Sequence, residues 1–215
     1  MATSFLKHTY WTELLNDMLT PEELALVSSR TPFELKHQAT EKLKDLMQRV
    51  RHALLAELEP EHILCPEQTD FVRGQIAKGE NYEGYPYVML NFPKHFGKTD
   101  IFTYRTMFWY GHYFIFSLLL AGTHLSTYLE RLDKHFNTFS TAGFFAAKAD
   151  LWDWRPDAFE RLDSARKSEI LMQLRTLPFL KLAKLLAPSI LSDESAVLSG
   201  ARSFYRLTTL LTAKP

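Results

Sequence analysis

Arg105 and His112 are the side chains whose surroundings most readily suggest chemistry. Arg105 sits among Tyr104, Met107 and Phe108 as the only arginine of a long apolar and aromatic run. A guanidinium in such a place must reach solvent or find an acceptor, because an unpaired buried charge is costly. Two roles follow. It is a structural cation paired with Asp150, Asp153 or Glu80, or bound to backbone carbonyls. Otherwise it is an anion hook, since its planar fork matches a carboxylate or phosphate. His112 lies between two aromatic segments. Because histidine as a residue type can exchange a proton near neutral pH, His112 is the candidate acid, base or ligand, with packing beside a turn as the competing role.

Aromatic residues supply the walls of this expected site. Tyr87 and Trp109 flank Arg105 in neighbouring strand segments, and Trp152 with Trp154 brackets Asp153 as a flat platform for a planar ring. The candidate ligand-binding set is therefore Arg105, Trp109, His112, Tyr87 and Trp152, and the expected ligand is anionic or aromatic. The segment Lys78–Tyr87 carries two glycines, two acids and three tyrosines and reads as a loop before the first strand, suited to a lid or to covering a sheet edge. Arg202 and Arg206, read on a strand, would face together and could join Arg105 or Lys148 in a basic pocket.

Other chemistries find little support. His62-x-x-Cys65 offers two ligands without a second pair, so no metal is expected. The chain has no GxGxxG, no GxxxxGK[ST] and no GxSxG, and no cofactor is expected. Charge balances at 25 basic and 25 acidic side chains with no basic run, which argues against nucleic acid as a partner and leaves self-association open. One cysteine, Cys65, excludes an intrachain disulfide, and the N-terminal stretch lacks the pattern of a signal peptide. Both points favour the cytoplasm.

The elements that must hold these residues read as α+β. Thr20-Pro21-Glu22-Glu23 and Thr31-Pro32-Phe33-Glu34 are helix starts, with a cap, a proline at the first helical position and acids facing the positive end of the dipole. From the second start to Glu59, Leu35, Ala39, Leu43, Leu46, Met47, Val50, Leu54, Leu55 and Leu58 recur at helical spacing until Pro60. Thr69–Lys78 is expected as one more short helix. The run from Lys78 to His124 holds 13 of the 29 aromatic residues and predicts strands at Tyr85–Phe92, Ile101–Tyr110 and His112–Gly122. The stretch Thr106–Leu125 is long enough to span a bilayer, but the glycine and histidine at its middle favour two buried strands, so no membrane partner is expected.

A two-residue turn at Tyr110-Gly111 would pair Trp109 with His112 and Arg105 with Phe116. Both faces of that hairpin are then largely apolar and need cover from helices or from another protomer. Thr123–Phe136 reads as a helix, Gly143–Trp154 as a fourth strand, and Asp157–Leu186 as helical with a break near Pro178. Pro178–Leu186 would be the last turns of a core helix. Ala187–Ser199 reads as loop and Ser203–Thr212 as a fifth strand. The expectation is a single α+β domain over residues 1–215: a long helical N-terminal part, 1–80, then a mainly antiparallel sheet of four to five strands packed with helices, 81–215.

Function follows in three forms. The leading one is a soluble domain that binds a small molecule or a protein. The second is an enzyme using His112 as acid or base with Arg105 holding an anionic substrate. The third is a structural protein that homodimerises.

Overall fold

The computed structural model describes residues 18–214. The chain divides at Lys42–Leu43 into two compact units. In the first, α1 (Pro21–Ser28) is closed by a reciprocal cap: the Thr20 hydroxyl accepts from the Glu23 amide, and the Glu23 carboxylate accepts from the Thr20 amide. Helix α2 (Thr31–Leu55) begins in this unit and ends in the second. Within the second unit its buried stripe is Leu43, Leu46, Met47, Val50 and Leu54, the helical spacing that its sequence predicts.

The second unit is built on seven strands, more than the four to five expected. They are β1 (Gln75–Tyr82), β2 (Tyr85–Phe96), β3 (Ile101–Trp109), β4 (Tyr113–Ala121), β5 (Phe145–Ala147), β6 (Phe159–Arg161) and β7 (Phe179–Leu186). Every pairing is antiparallel, in the order β1-β2-β3-β4-β7-β5-β6. Three more helices complete the unit: α3 (Leu125–Thr141), α4 (Lys167–Leu174) and α5 (Glu194–Thr212). Among the described residues no helix is long and apolar enough to cross a membrane.

The two faces of the sheet are covered differently. Phe102, Tyr104, Phe108, Phe114, Phe116, Leu118, Leu120, Leu180 and Leu182 face a layer made by α2, α3, α4 and α5, which contribute Met47, Phe136, Leu171 and Phe204 among others. On the opposite face Met107, Trp109, Tyr113, Ile115, Leu119 and Ala183 pack against Leu151, Trp154 and Phe159. Among the described residues no α-helix contributes to this second cluster. Its cover is the irregular segment between β5 and β6, where helices or another protomer were expected.

Several further expectations are overturned, each for a local reason. Thr69–Lys78 is not a helix: Asp70 accepts the amides of Val72, Arg73 and Gly74, and β1 starts at Gln75. Lys78–Tyr87 is accordingly the end of β1 and the start of β2, joined by Glu83 and Gly84 at φ 52° and 85°. The expected strand Gly143–Trp154 shrinks to Phe145–Ala147. Asp157–Leu186 contains β6, α4 and β7, and of the expected helical turns Pro178–Leu186 the residues Phe179–Leu186 form a strand inside the sheet, between β4 and β5. Its apolar pairs broken by Lys181 and Lys184 mimic helical spacing. Ser203–Thr212 belongs to α5, which starts where the Asp193 carboxylate accepts the amides of Ser195 and Ala196. Its buried residues Val197, Ala201, Phe204, Tyr205, Thr208, Leu211 and Thr212 recur every three or four positions, a pattern hidden by the chance alternation from Tyr205 onward.

The β3–β4 turn has three residues, not two, so Trp109 pairs with Tyr113 and Arg105 with Ser117. This one-residue slip exchanges the two faces of β4 relative to β3. At the far end of the same hairpin, Gly122 has φ 90°, and a Cβ there would stand 2.4 Å from Asp100 Oδ1 and 2.8 Å from Asp100 Cα. That carboxylate accepts the Thr123 amide and the Thr99 hydroxyl, both at 2.7 Å, and these bonds hold its pKa down to about 2. Gly122→Val is expected to cost about 3 kcal/mol in urea unfolding, combining a strained backbone with a clash against Asp100.

Candidate functional site

Arg105 lies in the middle of β3, in a row that runs Asn91–Arg105–Ser117–Ala183 across four strands. Residues directly opposite one another share a face, so its side chain rises on the side without helices. The residue is 6% exposed. Its Nε donates to Asn91 Oδ1 at 2.7 Å, and its Cζ lies 5.3 Å from the Trp152 ring centroid and 5.1 Å from that of Trp154. The Ser117 hydroxyl donates to the Arg105 carbonyl. Burial pushes the guanidinium pKa down to about 10, opposed by Tyr87, so it stays charged at neutral pH.

The carboxylates expected to pair with it are engaged elsewhere. Asp153 forms a bidentate pair with Arg155 at 2.5 Å and accepts the Tyr82 hydroxyl at 3.2 Å. Asp150 accepts the Trp152 amide, and Glu80 lies 3.6 Å from Lys78. Among the described residues Arg105 has no ion-pair partner, and its terminal nitrogens make no hydrogen bond.

A second buried cation stands nearby. Lys181 is 0% exposed and donates from Nζ to the carbonyls of Leu151 at 2.9 Å and Asp153 at 2.7 Å. The amine lies 4.0 Å from the Trp154 ring centroid and 4.6 Å from that of Phe159. Burial pushes its pKa down to about 7; Arg105 adds to that push, while Asp153 and Asp150 resist it. Lys181, Tyr82 and Tyr113 together fasten the segment that covers this face. The Tyr113 hydroxyl donates to the Trp154 carbonyl, and the Trp154 amide donates to the Tyr82 hydroxyl. The sequence reading puts Lys181 in the last turns of a core helix and gives it no role, and nothing local marks Asn91. The adjoining apolar residues of Phe179–Leu186 were the available sign that this lysine is enclosed.

The remaining expected site residues fall into a separate group at the β3–β4 turn. Trp109 donates from Nε1 to the Tyr82 carbonyl at 3.2 Å, and the His112 ring stacks on it at 3.5 Å with Tyr85 edge-on to His112 at 4.7 Å. His112 Nε2 is buried without a hydrogen-bond partner. Tyr87 pairs with Trp109 across the strands, its ring lying over Gly79, where a Cβ would come within 2.3 Å. Arg105 and Trp109 are four residues apart on one strand, roughly 13 Å. Arg105, Trp152 and Trp154 are thus brought together, as are Trp109, His112 and Tyr85; Tyr87 pairs with Trp109 and also acts electrostatically on Arg105, while Arg105 and His112 share no contact. Arg202 and Arg206 join neither group; on α5 they pair with Glu57.

The described residues contain no cluster of three or more groups able to hold a metal ion. The architecture defines the class of this chain as α+β, an antiparallel sheet with helices on one face and a tryptophan-bearing segment on the other. No protein-family model, curated protein or solved structure matches it.

Proposed function

We propose that this chain is a soluble, cytoplasmic small-molecule-binding domain whose ligand carries an anionic group that meets Arg105. The observation that supports this reading is a guanidinium 6% exposed, pinned through Nε by Asn91, with no carboxylate partner among the described residues. An arginine kept only for stability would be expected to hold an ion pair, given the cost of desolvating its charge. With Nε fixed, both terminal nitrogens remain as donors for a bidentate acceptor. The acid–base reading at His112 has less support, since that ring is stacked on Trp109 away from Arg105.

The test is a melting-temperature screen with millimolar acetate, benzoate and inorganic phosphate. At least one anion is expected to raise the melting temperature by mass action. Arg105→Leu should abolish the shift while keeping the native far-UV spectrum. Should no anion shift the wild type, or should Arg105→Leu respond equally, Arg105 is a structural cation.

A further inference from the structure

We infer that the ligand is a planar aromatic anion, with its ring on Trp152 and Phe96 and its charged group on Arg105. This inference rests on the anion-binding reading above and adds the ring. Trp152 is 45% exposed and Phe96 42% exposed, the two rings lying 6.2 Å apart and tilted by 43°. Adjacent aromatic surfaces left open to water are unusual for residues of this size, and they are suited to stacking. The same indole that forms half of this platform lies 5.3 Å from the Arg105 guanidinium carbon. Cation and platform therefore adjoin, as a ring carrying a carboxylate or phosphate requires.

The backbone of β2 arranges this meeting. Asn91 pairs with Arg105, but after an irregularity Lys94 pairs with Thr103 and Phe96 with Ile101. The extra residue brings Lys94 and Phe96, in place of Pro93 and His95, onto the face of Arg105. Of the charges around it, Lys94 is half-buried and interacts with Asp70, Asp153 is paired with Arg155, and Asp150 accepts the Trp152 amide, so Arg105 is the cation that would meet the anion. Lys181 is fully enclosed and takes no part in direct contact.

Binding of 2-naphthoate, 2-naphthyl phosphate, acetate, inorganic phosphate and uncharged 2-naphthalenemethanol, measured by calorimetry on the full chain, tests the inference. The ring-bearing anions are expected to bind at least tenfold more tightly than acetate or phosphate and than the alcohol. Trp152→Ala should bring them down to the level of the ringless anions, and Trp152→Phe should restore part of the difference. Whichever of naphthoate and naphthyl phosphate binds better identifies the charged group. If acetate and naphthoate bind equally, the platform takes no part, yet the anion site at Arg105 stands. If naphthoate and the alcohol bind equally, the charge takes no part. If no compound binds, both readings fall.

Discussion

The native chain is expected to gain stability between about pH 7 and 9, and replacing Lys181 by methionine is expected to flatten that rise. The folded state holds this amine at about 7, against 10.5 for an ordinary lysine, chiefly because burial disfavours its charge. Between these values the unfolded chain carries a proton that the folded chain lacks. Raising the pH removes that advantage of the unfolded state, so folding stability increases. At about 1.4 kcal/mol per pH unit, the gain from pH 7 to 9 is about 2 to 3 kcal/mol. Above pH 9 other groups act in the opposite sense. Burial raises the pKa of Cys65 and of Tyr113, Tyr128 and Tyr205, so the unfolded chain releases their protons first and stability declines.

The neutral amine still has two N–H donors, matching the two carbonyls it reaches on Leu151 and Asp153. Deprotonation therefore keeps both bonds, whereas methionine leaves both acceptors empty, at about 1 to 3 kcal/mol for each buried group. The deficit of Lys181→Met should consequently be small at pH 6, where the native chain bears the buried charge, and largest near pH 9. Urea unfolding at pH 6, 7, 8 and 9 measures it. Parallel stability curves for the two proteins would show that the amine remains protonated throughout.

The second large effect is expected at Phe144, on the helix-covered face. Its side chain is fully buried, stacked on Phe204 at 5.2 Å and edge-on to Phe139 at 5.0 Å, with Lys184 Nζ 5.1 Å from its centroid. It thus joins the start of β5 to α3 and α5. Phe144→Ala should cost about 3 to 5 kcal/mol, because three rigid elements cannot close over the lost ring. Phe144→Leu keeps most of the volume and should cost about 1.5 kcal/mol or less. Equilibrium unfolding of both variants, with the proposed anion binding at Arg105 measured alongside, separates stability from the site. The β3–Trp152 contact lies on the opposite face of the sheet and should survive in Phe144→Leu.

Much of the fold could be read locally. The two helix starts at Thr20 and Thr31, the stripe through Leu43 and Val50, the α3 helix and the aromatic hairpin are all patterns that neighbours in sequence impose by themselves. Caps and the periods of 3.6 and 2 require no distant partner. The α+β class came from the same source, and so did the choice of Arg105, Trp152 and Tyr87 as candidates. The errors cluster where a buried element shows no alternation. Phe179–Leu186 is apolar nearly throughout, and only its insertion between β4 and β5 makes it a strand. The hairpin register depended on a single residue in the turn, and that residue decided which face of β4 meets Arg105.

What the sequence by itself determined is therefore the inventory: one arginine in an aromatic run, balanced charge, and helices and strands in roughly the right order. What only the tertiary structure decided is who meets whom. Asn91, Arg105, Trp152 and Lys181 come from β2, β3, the segment after β5, and β7. Their meeting is a product of strand order, set by long-range packing, and the β2 irregularity acts beyond it, on Lys94 and Phe96. No local propensity encodes a contact between residues this far apart in the chain, because the free energy that fixes it is released only when the whole sheet is buried.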